Sequence, residues 1–151
     1  MQLPPCGLYR TSASLGSVDE GKLVYFHNHG NPGPGVYLPK EWRYNRAQFE
    51  EKGHTLDDLG LLQFLQPLPP EGFYRVVESF HCCEQRCRRF EQEALLQLGY
   101  NADADPILFV PELVDSMFAI PEKGWKTSLE ALVNVRLLQL PVTMRDTLPP
   151  Q

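Results

Sequence analysis

Short clusters of Val, Leu, Tyr and Phe, each bounded by Gly, Pro or polar residues, recur along the whole chain and predict short strands in preference to long helices. Gly7 to Ser12 and Lys22 to His27 are the first two, and the second is rich enough in Val, Tyr and Phe to be buried. Asn31-Pro32-Gly33-Pro34-Gly35 cannot lie inside a sheet, because proline has no amide to donate and glycine favours turns. Val36 to Leu38 resumes the strand pattern, so residues 22 to 38 form a hairpin with a long connection. Lys40 to Glu51 is either irregular or a short strand around Ala47 to Phe49. From Thr55, apolar Leu56, Leu59, Leu62 and Leu65 fall at helical spacing until Pro67, which predicts a helix.

The same order then returns. Leu3 to Arg10 is L-P-P-C-G-L-Y-R and Leu68 to Arg75 is L-P-P-E-G-F-Y-R, with six of eight positions identical. Leu23-Val24-Tyr25-Phe26 matches Leu95-Leu96-Gln97-Leu98, and Val36-Tyr37-Leu38-Pro39 matches Leu108-Phe109-Val110-Pro111. Glu51-Lys52-Gly53 recurs as Glu122-Lys123-Gly124. Thr55 with Asp58, and Thr127 with Glu130, are Thr-x-x-acid capping boxes ahead of leucine-rich runs. Matches in one order predict an internal duplication. The second copy then has strands at Gly72 to Glu78, Ala94 to Leu98 and Pro106 to Val110, and a helix from Ser128 to Leu138. Residues 83 to 98 conflict: Cys83, Cys87, Phe90, Ala94, Leu95 and Leu98 share a helical face, whereas equivalence with the first copy makes 94 to 98 a strand. Strand is assigned there and a helical turn to 83 to 90.

The expected fold is therefore α+β: an internally duplicated, β-rich domain in which two strand-hairpin-helix units form a pseudo-twofold small barrel or bent sheet with two helices. One domain spans residues 1 to 151, with repeats at about 3 to 67 and 68 to 141 and a proline-containing tail at 142 to 151. Repeats of this size have marginal cores alone, so the copies are expected to share one apolar interior.

Charge narrows the partners. A net charge of −5 opposes general affinity for nucleic acid, which depends on a basic surface. The N-terminus lacks a positively charged and apolar leader, and no apolar run is long enough to span a bilayer, so a cytoplasmic protein is expected, without membrane insertion. Its four cysteines are then reduced thiols rather than a disulfide framework.

Candidate chemistry lies where the copies differ. The connection after the leading strand is about seven residues longer in the second copy and carries His81, Cys82, Cys83 and Cys87. His81, Cys82 and Cys87 suit zinc by ligand type, but there is no second Cys-x-x-Cys-like knuckle, and adjacent Cys82 and Cys83 are not expected to face one ion together. The bland alternative has Cys83 and Cys87 as small buried residues; a third has the neighbouring arginines lowering a thiol pKa. His27 and His29 fall on one side of an extended strand and make half of a metal site. A third ligand would come from His54, Asp103, Asp105 or the cysteine loop, against ordinary polar residues at a hairpin mouth. Trp42, Arg43, Tyr44 and Arg46 are residue types enriched at interface hot spots and form the candidate binding surface, against a plain core role for Trp42 and Tyr44.

No nucleophile elbow, Walker loop, dinucleotide fingerprint or H-E-x-x-H helix is legible, which favours binding over catalysis. A non-catalytic cytoplasmic protein-binding module is expected: an adaptor, an assembly component or an immunity-type inhibitor, with no required cofactor. One alternative is a metal-dependent hydrolase or nuclease using His27 and His29, with zinc as the candidate metal. Another is a homo-oligomeric structural protein, because Leu148-Pro149-Pro150 echoes Leu68-Pro69-Pro70.

Overall fold

The computed structural model describes residues 2–30 and 33–141, so the proline-containing tail and its echo of Leu68-Pro69-Pro70 lie outside the described residues. The first half contains β1 (Gly7–Thr11), β2 (Leu23–His27), β3 (Gly35–Tyr37), β4 (Pro39–Arg43), β5 (Arg46–Phe49), β6 (His54–Thr55) and β7 (Leu65–Pro67). The second contains β8 (Gly72–Val76), β9 (Phe80–His81), β10 (Arg89–Phe90), β11 (Leu95–Tyr100), β12 (Pro106–Phe109), β13 (Glu112–Val114), β14 (Met117–Ala119), β15 (Trp125–Lys126) and β16 (Val135–Leu137). The main sheets run β6-β3-β2-β1-β7 and β15-β12-β11-β8-β16, and each order maps onto the other strand for strand. Antiparallel pairing runs throughout both.

The shared Leu-Pro-Pro-x-Gly-x-Tyr-Arg segment has a physical reason in both places. Gly7 and Gly72 adopt φ of 156° and 148°, backbone that side-chain-bearing residues rarely take. The second proline's carbonyl then accepts the tyrosine hydroxyl, Tyr9 on Pro5 at 2.7 Å and Tyr74 on Pro70 at 2.6 Å. Burial pushes the Tyr74 hydroxyl up to a pKa of about 12, so it stays a donor well into alkaline pH.

The α+β expectation is overturned. Where two helices were expected, the described residues hold only short 3-10 segments, Leu59–Phe64 and Glu130–Asn134, each running directly into a strand. Leu62 is the one buried residue of the first segment and Leu132 of the second. One buried side chain in each, with Leu59, Leu61, Phe64 and Ala131 only partly buried beside them, supplies little of the tertiary packing on which short helices depend. Leu65 and Val135 satisfy their backbones by pairing with β1 and β8 instead. The capping boxes do not form either: Asp58 itself accepts the Gly60 amide at 2.9 Å, while Thr55 belongs to β6. Residues 83 to 90 are not helical, since β9 pairs with β10 and the intervening loop turns through Arg86 at a φ of 55°. Among the described residues no helix is long and apolar enough to cross a membrane.

Two-residue hairpins follow β3 and β12. Tyr44 and Asn45 have φ of 54° and 64°, and Asp115 and Ser116 have 51° and 65°. Positive φ at both central residues is what the type I′ turn needs to match strand twist. The β4–β5 hairpin makes a regular element of a stretch expected to be irregular or to hold a single short strand around Ala47 to Phe49, which is β5. The hairpin leaves its own sheet to lie on that of the second half.

The apolar interior falls into two clusters. Tyr9, Val24, Phe26, Val36 and Leu62 centre the first; Tyr74, Val76, Leu96, Leu98, Tyr100 and Leu108 centre the second. Leu23 and Ala47 come from the first half but pack in the second cluster, with Leu8 and Phe49 against it, so the halves are joined chiefly by what the first lends.

Candidate functional site

Gly99 is the floor on which the β4–β5 turn rests. A Cβ there would lie 2.6 Å from the Asn45 carbonyl oxygen, so only glycine permits the approach. Around it, Trp42 Nε1 donates to the Tyr100 carbonyl at 2.7 Å and Gln97 Nε2 donates to the Tyr44 carbonyl at 3.0 Å. Asn45 Nδ2 donates to Gln97 Oε1 and to the Pro121 carbonyl, both at 3.0 Å. The Ala47 amide donates to the Glu71 carboxylate at 2.9 Å. Burial raises the Glu71 pKa, opposed by that amide and by the Arg46 charge. Burial likewise raises that of Tyr100, whose hydroxyl donates to the Pro69 carbonyl at 2.6 Å.

The hot-spot candidates Trp42, Arg43, Tyr44 and Arg46 all sit on this docked hairpin and line a cleft with Phe73, Gln97, Ile120 and Glu122. Their roles differ. Trp42, 41% exposed, has its indole N–H committed to the other half, whereas Tyr44 at the turn is 87% exposed. Arg43 is held by Glu41 at 2.9 Å, an exposed pair worth little to stability.

The first half has used the equivalent place differently. Gly7 pairs with Phe26 and Gly72 with Leu98, which makes Tyr25 the counterpart of Gln97, His27 of Gly99, and Cys6 of Glu71. At this second position Cys6, His27 and His29 converge, each offering a ligand atom within 4.8 Å of the others. The His27 and His29 ring centroids are 4.0 Å apart, and Cys6 Sγ lies 3.9 Å from His29 Nδ1. The Asn28 amide donates to Cys6 Sγ at 3.3 Å, and Asn28 Oδ1 lies 2.8 Å from His29 Nδ1. Residues considered as the third ligand are engaged elsewhere: His54 with Ser17, Asp103 with Lys22, and Asp105 with Lys126. Cys6 is the side chain that stands beside the two histidines instead. Its signal was the Cys-for-Glu exchange inside an otherwise matching octapeptide.

A second cluster occupies the β9–β10 loop. Cys82, Cys83 and Cys87 also bring their ligand atoms within 4.8 Å, and the Cys82 and Cys83 sulfurs are 3.5 Å apart. Adjacent cysteines therefore do face one point, contrary to the sequence expectation. Cys82 is buried while Cys83 and Cys87 are exposed, which also removes the buried-residue reading of the latter two. His81 lies on β9 opposite Arg89, and the third sulfur is that of Cys83. Three thiols suit a soft or borderline metal ion.

The same geometry favours the thiolate of Cys83. The Cys87 amide, then the Cys82 thiol and the Gln85 amide, hold its pKa down to about 7, while Cys87 is raised by its hydrogen bond with Cys83 and then by that neighbour's charge. Iodoacetamide at pH 7.5 after chelator treatment is expected to modify Cys83 ahead of Cys6, Cys82 and Cys87. Its rate should climb through neutral pH and level off as the thiolate fills. Peptide mapping across a pH series checks both; preferential labelling of Cys87 would contradict them.

The remaining feature is the second half's own hairpin. Leu113 and Phe118 face each other across β13 and β14, with Val114 opposite Met117 beside the turn. Leu113 is 76%, Met117 71% and Phe118 60% exposed. Position for position this is the hairpin that docks in the first half, here without a covering surface among the described residues. Comparison with protein-family models, curated proteins and solved structures finds no match for this chain.

Proposed function

We propose that the chain is a non-catalytic protein-binding module of the cytoplasm and that the β13–β14 hairpin is its recognition element. The exposed apolar hairpin carries this reading. Four large apolar side chains grouped on one projecting element mark an interaction surface in a way that scattered ones do not. The molecule itself supplies the docking mode: the equivalent β4–β5 hairpin binds by laying its Trp42–Ala47 pair on a sheet and resting its turn on a glycine.

The homo-oligomer alternative is disfavoured in that mode. Gly99 is already covered, and the first half has His27 where the docking geometry needs glycine. The partner is therefore a different protein, with an apolar groove and a basic rim to meet Glu112, Asp115 and a chain of net charge −5.

Affinity capture from the native cell with the full chain, followed by reconstitution of the recovered complex from purified components, tests this. Leu113→Asp combined with Phe118→Ser is expected to weaken binding at least about 100-fold, the scale of a hot-spot loss. Because both side chains are exposed, folding stability should move by no more than about 0.5 kcal/mol per site. Undiminished binding by that variant would remove the hairpin from the interface. Trp42→Ala and Arg43→Ala serve as the competing surface.

A further inference from the structure

We infer that Cys6, His27 and His29 form a zinc site with three protein ligands and a fourth position open to water. The supporting observation is independent of the hairpin. In the second half the corresponding positions are Glu71, Gly99 and Asn101, and that sheet forms with the same strand order. The fold thus has no need of a thiol and two imidazoles at this corner. They are nonetheless brought together there, from a segment before β1 and from the end of β2.

The chemistry fits the geometry. Zinc takes one thiolate and two neutral imidazoles readily, and its bond lengths place sulfur and nitrogen about 3.5 Å apart in a tetrahedron. Cys6 Sγ and His29 Nδ1 are 3.9 Å apart, so small side-chain rotations close the shell. Asn28 holds the sulfur in place: its backbone amide donates to Cys6 Sγ at 3.3 Å, its Oδ1 accepts from the Cys6 thiol at 3.2 Å, and its Nδ2 is anchored by donating to the Pro4 carbonyl at 3.0 Å. His29 is exposed and Cys6 and His27 half-buried, so the fourth position faces solvent.

Zinc binding to the chelator-stripped full chain, measured by competition with a chromophoric chelator, tests the site. Cys82→Ser/Cys83→Ser/Cys87→Ser removes the other sulfur cluster and is expected to retain one tight equivalent of zinc. Adding Cys6→Ala to that background should weaken binding at least about 100-fold, beyond the range seen when only outer-shell partners of a metal site are lost. Cobalt in the triple-serine protein should show the intense visible bands of a tetrahedral ion with a single-thiolate charge-transfer band, and Cys6→Ala should abolish that band. In the otherwise native chain, Cys6→Ala/His27→Ala should lower zinc stoichiometry by one, read alongside circular dichroism of the stripped protein. Unchanged stoichiometry in that pair, or no zinc retained by folded triple-serine protein, would overturn the assignment.

Discussion

Replacing Gly99 with valine is expected to destabilise the protein by about 3 kcal/mol, at the upper end of overpacking penalties. On a chain of this length that lowers the melting temperature by roughly 6–12 °C. The cause is local. A Cβ at this position stands 2.6 Å from the Asn45 carbonyl oxygen and 3.3 Å from the Phe109 ring, and the nearer obstacle is backbone, which cannot swing aside as a side chain can. The β4–β5 hairpin must lift, breaking the Trp42, Asn45 and Gln97 hydrogen bonds together. Gly99→His would install the first half's own residue and should act the same way. Thermal unfolding with tryptophan fluorescence checks both variants; a melting temperature within a degree of wild type would mean that the hairpin does not rest on Gly99.

The positions of several strands in each half were legible because the repeat aligns with itself. Gly7 and Gly72 open equivalent strands, Gly7 pairs with Phe26 as Gly72 pairs with Leu98, and the remaining ladders correspond. The helices were misread for a physical reason. A leucine every third residue is shared by a 3-10 turn feeding a strand, and nothing in Leu56-x-x-Leu59-x-x-Leu62 says that only one residue of the segment from Leu59 will be buried. The β4–β5 turn was missed because Tyr44-Asn45 takes positive φ without the glycine that usually announces it.

The sites divide similarly. His27 and His29 were visible as a pair, but Cys6 joins them only through register: with Gly7 opposite Phe26, the residue before Gly7 falls beside His27. Among the sulfurs, Cys82 and Cys87 were selected and Cys83 was set aside by a rule about adjacent side chains. That rule holds in a regular strand; here the strand ends at His81, and the turn beyond lets both sulfurs face one way. Trp42 was recognised as an anchor, but whether an anchor faces outward or across the molecule is decided by packing that one sequence does not display.

Trp42 and Leu113 occupy the same place, two residues before the turn of equivalent hairpins, and they furnish the second large expected effect. Trp42→Ala should cost about 2–3 kcal/mol, less than the truncation of a fully buried aromatic because Trp42 is 41% exposed. The loss combines the buried part of the indole with the Tyr100 carbonyl left without its donor. Leu113→Ala should shift stability by no more than about 0.5 kcal/mol, because its side chain is 76% exposed. Urea unfolding of both variants gives the comparison directly. If Leu113→Ala proved as costly as Trp42→Ala, the second hairpin would be packed in solution and no longer free to meet a partner. If both were neutral, the first would not be docked, and the asymmetry that separates a hairpin used for assembly within the chain from one used for recognition outside it would disappear.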